Sequence, residues 1–352
     1  MRHSIIDLHP QRILIRSTNW IGDAIITTPA VRTIRRNFPN AKISILALPW
    51  VADVFAASPH VDEVILYQKK KEHSGMAGMW KLAGLLAEQR FDLAILLQNA
   101  ISAAILTKLA GIPARAGYTT DGRALLLTNG VKLRREVKKI HQVNYYQEML
   151  RGLGLVCGSN ELFLQLPEPD IAWARAQAGG LGPGPLVGLN PGAAYGPAKR
   201  WPAGYFKQLA TLLRRELRAT MVVFGTGADA EAAREIEQGA PGHVVDLAGK
   251  TSLAQAMAMI GVCDVFVTND SGLMHVGAAL KTPLVAIFGS TNSITTGPYS
   301  DNAVIIQKNL PCRPCYKTTC ETGFRCMLEI TPQEVFAVVR KILVGAPTSQ
   351  VR

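Results

Sequence analysis

RILIRSTNWIGDAIITTPAVRTIRRNFPNAKISILAL, residues 12–48, is the stretch that decides the fold class. RILIRST (12–18) is a short β-branched run bounded by polar residues, the pattern of a strand buried on both faces. Gly22 permits a tight turn, and Asp23 to Asn37 reads as a helix. AKISILAL (41–48) is then a second strand. DEVILY (62–67) and FDLAILL (91–97) continue the series, with a helical stretch from Lys81 to Gln89 between them. Strands alternating with helices predict an α/β fold, a parallel sheet covered on both faces.

The pattern restarts further on. LQLPEPD (164–170) and the turn-rich GGLGPGP (179–185) mark an interdomain junction. Beyond it PLVGLN (185–190), TMVVFG (220–225), HVVDLA (243–248), CDVFVTN (263–269) and PLVAIFG (283–289) read as strands. A chain of 352 residues has room for two ordinary domains. The expected division is a doubly wound unit over 1–170, a second over 171–330, and a tail, 331–352. The helical stretch of that tail, Pro332 to Leu343, is expected to pack back on the first unit. Two such units leave a central cleft, and ligands of doubly wound sheets sit beyond the carboxyl ends of the strands.

Composition narrows the function classes. Apolar residues make up 48% and charged residues 18%, which excludes disorder. Thirty-eight Lys and Arg against 26 Asp and Glu give +12, a surplus that suits an anionic partner. Asp7 and Pro10 interrupt any secretory h-region. The most apolar stretch, Leu93 to Leu109, carries Gln98, Asn99, Ser102 and Lys108, too polar for a spanning helix. The expectation is a soluble, cytoplasmic protein that can touch a membrane.

Three segments that follow strands carry chemistry. In STNWIGDAIITTPAVRTIRR (17–36), Asp23 stands in the first turn of a helix, as a cap or as a general base for a substrate hydroxyl. In LNPGAAYGPAKRWPAGYF (189–206), a glycine-rich loop leads to Pro202 at the first turn of a helix, with Lys199 and Arg200 beside it. That is a cradle for phosphate. In VTNDSGLMHVGAALKTP (267–283), a helix opens on Asp270, Ser271 and Gly272, whose backbone N–H groups suit a pyrophosphate. His275 follows on the same face. Together they describe a nucleotide diphosphate held by the second domain, faced by a carboxylate from the first.

NWIGD (19–23), LLQNAISAAI (96–105), NPGAAYGPAKRWP (190–202) and NDSGLMHVGAAL (269–280) resemble, in order along the chain, the lipopolysaccharide heptosyltransferases of glycosyltransferase family 9. The GPAKRWP segment favours the branch that adds the second heptose. The resemblance implies a GT-B fold of two Rossmann-like domains. It implies inverting transfer of L-glycero-D-manno-heptose from ADP-heptose to the first heptose of the Kdo-lipid A inner core. It requires no cofactor for the chemistry and places the enzyme at the cytoplasmic face of the inner membrane, in peripheral contact with it. Asp23 matches the base and Lys199 the lysine facing the donor phosphates. Asp270, Ser271, Gly272, Leu273 and His275 match the donor loop, joined by Asn19, Gly22 and Arg200. Thr226 and Asp229 are assigned to the adenosine. Other members of the family add heptose to other acceptors, so a heptosyltransferase I specificity is the alternative.

Three features compete with that reading. GTGADA (225–230), with Asp246 ending a strand about 20 residues later, fits a dinucleotide fingerprint and so an NAD-dependent oxidoreductase. Cys312, Cys315, Cys320 and Cys326 are spaced C-x2-C-x4-C-x5-C, which permits a structural zinc or an iron–sulfur cluster, although the paired knuckles of a zinc ribbon are missing. The basic tracts Lys69–Lys71 and KLRREVKK (132–139) fall in residues 1–180, which carry 22 Lys and Arg against 14 Asp and Glu. No aromatic residue interleaves them, which argues against nucleic acid and for a phosphorylated lipid core at an anionic surface.

Overall fold

The computed structural model describes residues 4–345, and the chain divides into two compact units between Gln165 and Leu166. The first unit holds six parallel strands: β1 (Arg12–Arg16), β2 (Lys42–Ala47), β3 (Glu63–Leu66), β4 (Leu93–Leu96), β5 (Ala114–Tyr118) and β6 (Asn129–Val131). Their spatial order is β3-β2-β1-β4-β5-β6. On one face Leu14, Leu46, Ala94 and Leu96 form a core with Leu82 and Leu86 of the helix Gly75–Glu88 and Leu106 of the helix Ile101–Leu109. The central strands β1, β2 and β4 are buried on both faces, which is why they read as unbroken apolar runs.

The second unit repeats the plan with β7 (Leu186–Asn190), β8 (Thr220–Val223), β9 (Val244–Asp246), β10 (Val265–Asn269), β11 (Leu284–Phe288) and β12 (Ala303–Gln307). Their order is β12-β11-β10-β7-β8-β9, parallel throughout. Each sheet therefore has the order 3-2-1-4-5-6 of a dinucleotide-binding sheet, with strand order reversing between β1 and β4 and between β7 and β10. Those reversals are where loops diverge and leave a crevice.

The helix Glu168–Gly179, cut by the expected boundary at 170, lies in the second unit and packs on the helix Leu253–Gly261. The terminal helix is Pro332–Gly345. Within the second unit it lies against the helix Ala203–Leu217 and against β10 and β11. Val335 and Val339 are wholly buried there and complete the core around Trp201, Phe206 and Leu209. The end of the expected tail, 346–352, lies outside the described residues. No described helix is long and apolar enough to cross a membrane.

Candidate active site

The loop after β7 is shaped by what it cannot avoid. Gly196 sits at φ +145°, and a Cβ there would lie 2.5 Å from the carbonyl oxygen of Thr318, so only glycine fits. Pro197–Lys199 then forms one 3-10 turn, and Trp201 is buried with its indole N–H donating to the Ile330 carbonyl at 2.9 Å. Pro202, expected inside the first turn of the next helix, is its N-cap residue.

Two asparagines stitch this loop to the turn after β10. The side chain of Asn269, the last residue of β10, accepts the Trp201 backbone N–H at 3.0 Å and donates to the Pro191 carbonyl at 2.8 Å. It thereby pins both ends of the loop. Asn190, the last residue of β7, donates to Thr268 Oγ1 at 2.8 Å and to Ser271 Oγ at 2.7 Å. All of these bonds are buried or partly so, where an unmet polar group would be costly.

The stitching brings Lys199 to Asp270. Lys199 Nζ lies 2.6 Å from Asp270 Oδ2, and the carboxylate is only 5% exposed. The Thr291 hydroxyl donates to the same oxygen. The ammonium also stands 4.7 Å from the centre of the Tyr195 ring, a cation–π contact, and Tyr195 itself donates to the Tyr316 carbonyl at 2.6 Å. Ser271 holds the N-cap position of the helix Gly272–Ala279 without a side-chain capping bond, and the helix carries Leu273 and the buried His275 in its first turn and opens at the same turn. A fixed cation beside the start of a helix is an arrangement that holds phosphate.

Arg200 faces the loop after β8. Its Nε donates to the Ala193 carbonyl at 3.2 Å, and its Nη2 is 4.0 Å from Asp229 Oδ1. Thr226 and Asp229, assigned from sequence to the adenosine, form a capping box: Asp229 Oδ2 accepts both the backbone N–H and the hydroxyl of Thr226 at 2.9 Å. Asp229 is 8% exposed and holds the loop's shape. GTGADA follows β8, the second strand of its sheet, whereas the dinucleotide fingerprint belongs after the first, central strand. Asp246, the acidic residue of that fingerprint, is committed to Lys250 at 2.6 Å and to the Ala248 N–H. The oxidoreductase reading fails on that topology.

The first unit carries its own polar cluster at the β1/β4 reversal. Asp23, partly exposed, lies in the first turn of the helix Ile21–Ile26, directly after β1, and Gly22 beside it is buried. Asn19 Oδ1 accepts from the buried Arg16 at 2.8 Å, and burial pushes that guanidinium down to about 10. Burial, and then the Asp23 charge, hold the Tyr146 phenol well above its ordinary pKa. It is therefore a neutral neighbour of Asp23 at any ordinary pH. Arg123, fully buried, donates to the Gln98 carbonyl, to Asn99 Oδ1 and to the Tyr118 carbonyl, and Asn99 in turn donates to the Tyr145 hydroxyl. The sequence reading gave no role to Arg16, Arg123, Tyr145, Tyr146 or Thr291. Asn99 lies within LLQNAISAAI, three residues past β4, whereas Asn190 and Asn269 end β7 and β10; a polar residue closing an apolar run is the signal for all three.

The four cysteines of the 312–326 segment are unpaired thiols, with Cys312 exposed and Cys326 buried. Among the described residues no group of three or more His, Cys, Asp or Glu is placed to hold a metal ion. Their segment braces the loop: the Thr318 carbonyl accepts the Ala198 N–H at 3.0 Å, and the Cys315 and Tyr316 N–H groups donate to the Ser290 carbonyl.

Known proteins agree with this construction. A family model, glycosyltransferase family 9 (heptosyltransferase), matches residues 79–324. Lipopolysaccharide heptosyltransferase 2 of Escherichia coli K12 is 32% identical, over 94% of this chain and 98% of its own. Lipooligosaccharide heptosyltransferase 2 of Haemophilus influenzae is also 32% identical, over 94% and 99%. The solved structure of E. coli ADP-heptose lps heptosyltransferase II matches with a TM-score of 0.80 at 31% identity, covering 95% of this chain and 99% of that one. The two sheets are thus those of the GT-B fold, and the chain belongs to glycosyltransferase family 9, the heptosyltransferases.

Proposed function

We infer that the protein transfers L-glycero-D-manno-heptose from ADP-heptose to the first heptose of the Kdo-lipid A inner core, inverting the anomeric centre. The observation that carries the reading is the Lys199–Asp270 pair, its carboxylate buried, held on two stitched loops at the β7/β10 reversal. The full-length likeness to heptosyltransferases 2 supplies the sugar and the acceptor.

Inversion by direct displacement needs one base and no covalent enzyme intermediate. Asp23 takes the proton of the acceptor hydroxyl as it attacks C1. Negative charge grows on the diphosphate as the C1–O bond breaks. Lys199 and the amino end of the helix Gly272–Ala279 stabilise that charge more in the transition state than in the ground state. Ser271, Gly272, Leu273 and His275 line the phosphate end of the donor, and Arg200 extends the positive surface toward the loop of Thr226 and Asp229. Asn19 and Gly22 set the approach to Asp23. ADP leaves readily, so no acidic catalyst is required. The reaction belongs at the cytoplasmic face of the inner membrane, where a lipid-anchored acceptor is met.

Asp23→Ala is expected to keep ADP binding by calorimetry and to lose transfer by about 10²- to 10⁴-fold. Unchanged turnover would remove Asp23 from the mechanism. Acceptor choice is tested with ADP-heptose and acceptors truncated at Kdo or at the first heptose. Product on the Kdo-terminated acceptor alone would replace this reading with a heptosyltransferase I specificity.

A further inference from the structure

The four-cysteine segment is irregular from Cys312 to Phe324, and its backbone is bonded to both loops that carry the Lys199–Asp270 pair. The Arg313 guanidinium donates to the Gly289 and Thr291 carbonyls, and the Cys315 and Tyr316 N–H groups donate to the Ser290 carbonyl at 3.0 and 2.8 Å. These bonds fix the turn whose Thr291 hydroxyl reaches Asp270. Further along, the Tyr316 carbonyl accepts the Tyr195 hydroxyl at 2.6 Å, and the Thr318 carbonyl accepts the N–H of Ala198, the residue before Lys199. Cys320 stands two residues past Thr318 and is partly exposed. Its sulfur accepts the Phe324 N–H at 3.2 Å and lies 3.4 Å from the Thr322 hydroxyl oxygen, which closes the turn 320–324. Bonds from the Thr322 hydroxyl and N–H, and then from the Phe324 N–H, hold this thiol below its ordinary pKa, whereas burial pushes that of Cys326 up. Thiolate character and access together select which thiol reacts.

We propose that Cys320 is a modification site for low-molecular-weight disulfides, and that its occupation loosens the loop of Lys199. The Cys320 thiolate, its proton given up to water, attacks one sulfur of the disulfide. A new S–S bond forms at Cys320, the old S–S bond breaks, and the other half leaves as a thiolate that takes up a proton. The protein sulfur is oxidised and the leaving half is reduced, so no further oxidant is needed. The attached group removes the negative charge that the Thr322 and Phe324 donors serve, and it demands room beside the turn. The turn opens, and the Thr318–Ala198 bond two residues away goes with it. A reducing thiol reverses the step. The effect on ADP rests on the donor site proposed above; the exchange at Cys320 and the loosening of the loop do not.

The test treats the reduced full chain with oxidised glutathione and reads it by peptide mass mapping and by hydrogen exchange. Cys320 should take up glutathione several-fold faster than Cys312 or Cys315, and dithiothreitol should remove it. Exchange in the segment 195–199 should quicken about tenfold on modification, the scale of one lost hydrogen bond. ADP affinity by calorimetry should fall by a similar factor. Cys320→Ser should keep the untreated protein's exchange rates and ADP affinity and lose the response. Cys312→Ser with Cys315→Ser should respond as the parent does, which keeps the test decisive if the Cys320 variant folds poorly. Glutathione on Cys312 or Cys315 with Cys320 left reduced overturns the site. Thiolated Cys320 with unchanged exchange in 195–199 overturns the coupling. Untreated protein that binds no ADP would instead fail the donor reading, and the two mass-spectrometric readouts would still decide the proposal.

Discussion

Lys199 and Asp270 show why a single residue can be read from sequence and its partner missed. A lysine in a glycine-rich loop after a strand suggests phosphate, but nothing along the chain says that a buried carboxylate 71 positions later already holds it. The pair sets up a prediction. Lys199→Met leaves Asp270 buried with only the Thr291 hydroxyl, and urea unfolding should show a loss of about 2–4 kcal/mol. Adding Asp270→Asn should restore most of that stability, since no bare charge then remains. It should not restore ADP affinity or transfer. If the double variant regained turnover, Lys199 would be a structural cation and no more. Asp229 shows a role no spacing announces: beside the ligand contact expected of it, its Oδ2 accepts the Thr226 amide and so shapes its own loop.

At the scale of elements, polar side chains finish what the backbone leaves open. The sequence reading drew one helix from Asp23 to Asn37; the structure breaks it at Thr27 into Ile21–Ile26 and Thr28–Asn37. Pro29 has no N–H for the Ile25 carbonyl, and the Thr28 hydroxyl donates there at 2.7 Å instead. Each sheet also starts its central strand with the same device. Asp92, just before β4, accepts the N–H groups of Gln11 and Arg12 at 2.8 Å, and Asp264, just before β10, accepts that of Leu186 at 2.7 Å. Asp264→Ala should cost about 1–2 kcal/mol in a denaturant melt. No loss would mean that water replaces the carboxylate without penalty. The strands with long apolar runs are legible in the sequence, whereas β5, β6 and β12 appear only in the structure. ARAGY (114–118) and NGV (129–131) are short and carry glycine or charge, and they become strands through pairing with β4 and with each other. AVIIQ (303–307) did carry the β-branched signal.

For the whole molecule, two histidines of the first unit carry a pH dependence. His60 is held below its ordinary pKa of 6.5 by burial and by the charges of Arg32 and Arg35; His73 is lowered chiefly by burial. His73 Nδ1 also accepts the Gln68 N–H at 3.0 Å, a bond an imidazolium cannot keep. Unfolded chain takes up protons below pH 6.5 that these two folded histidines resist. Their contribution is therefore intact above that pH and lost as the pH falls through and below it. Thermal melts of the first unit should drop in acid, and His60→Gln with His73→Gln should flatten that dependence. A slope unchanged in the double variant would assign the acid loss to other groups.

The sequence by itself determined the class of fold, two successive doubly wound units and the segments that bear chemistry, because strand and helix periodicity and strand-end turns are local properties. Tertiary structure decided the rest: the 3-2-1-4-5-6 order of each sheet, the core that claims the terminal helix, and the Asn190, Asn269 and Thr291 bonds around Lys199. Those depend on residues far apart in the chain that meet only when parallel strands align, and no local pattern encodes such a meeting.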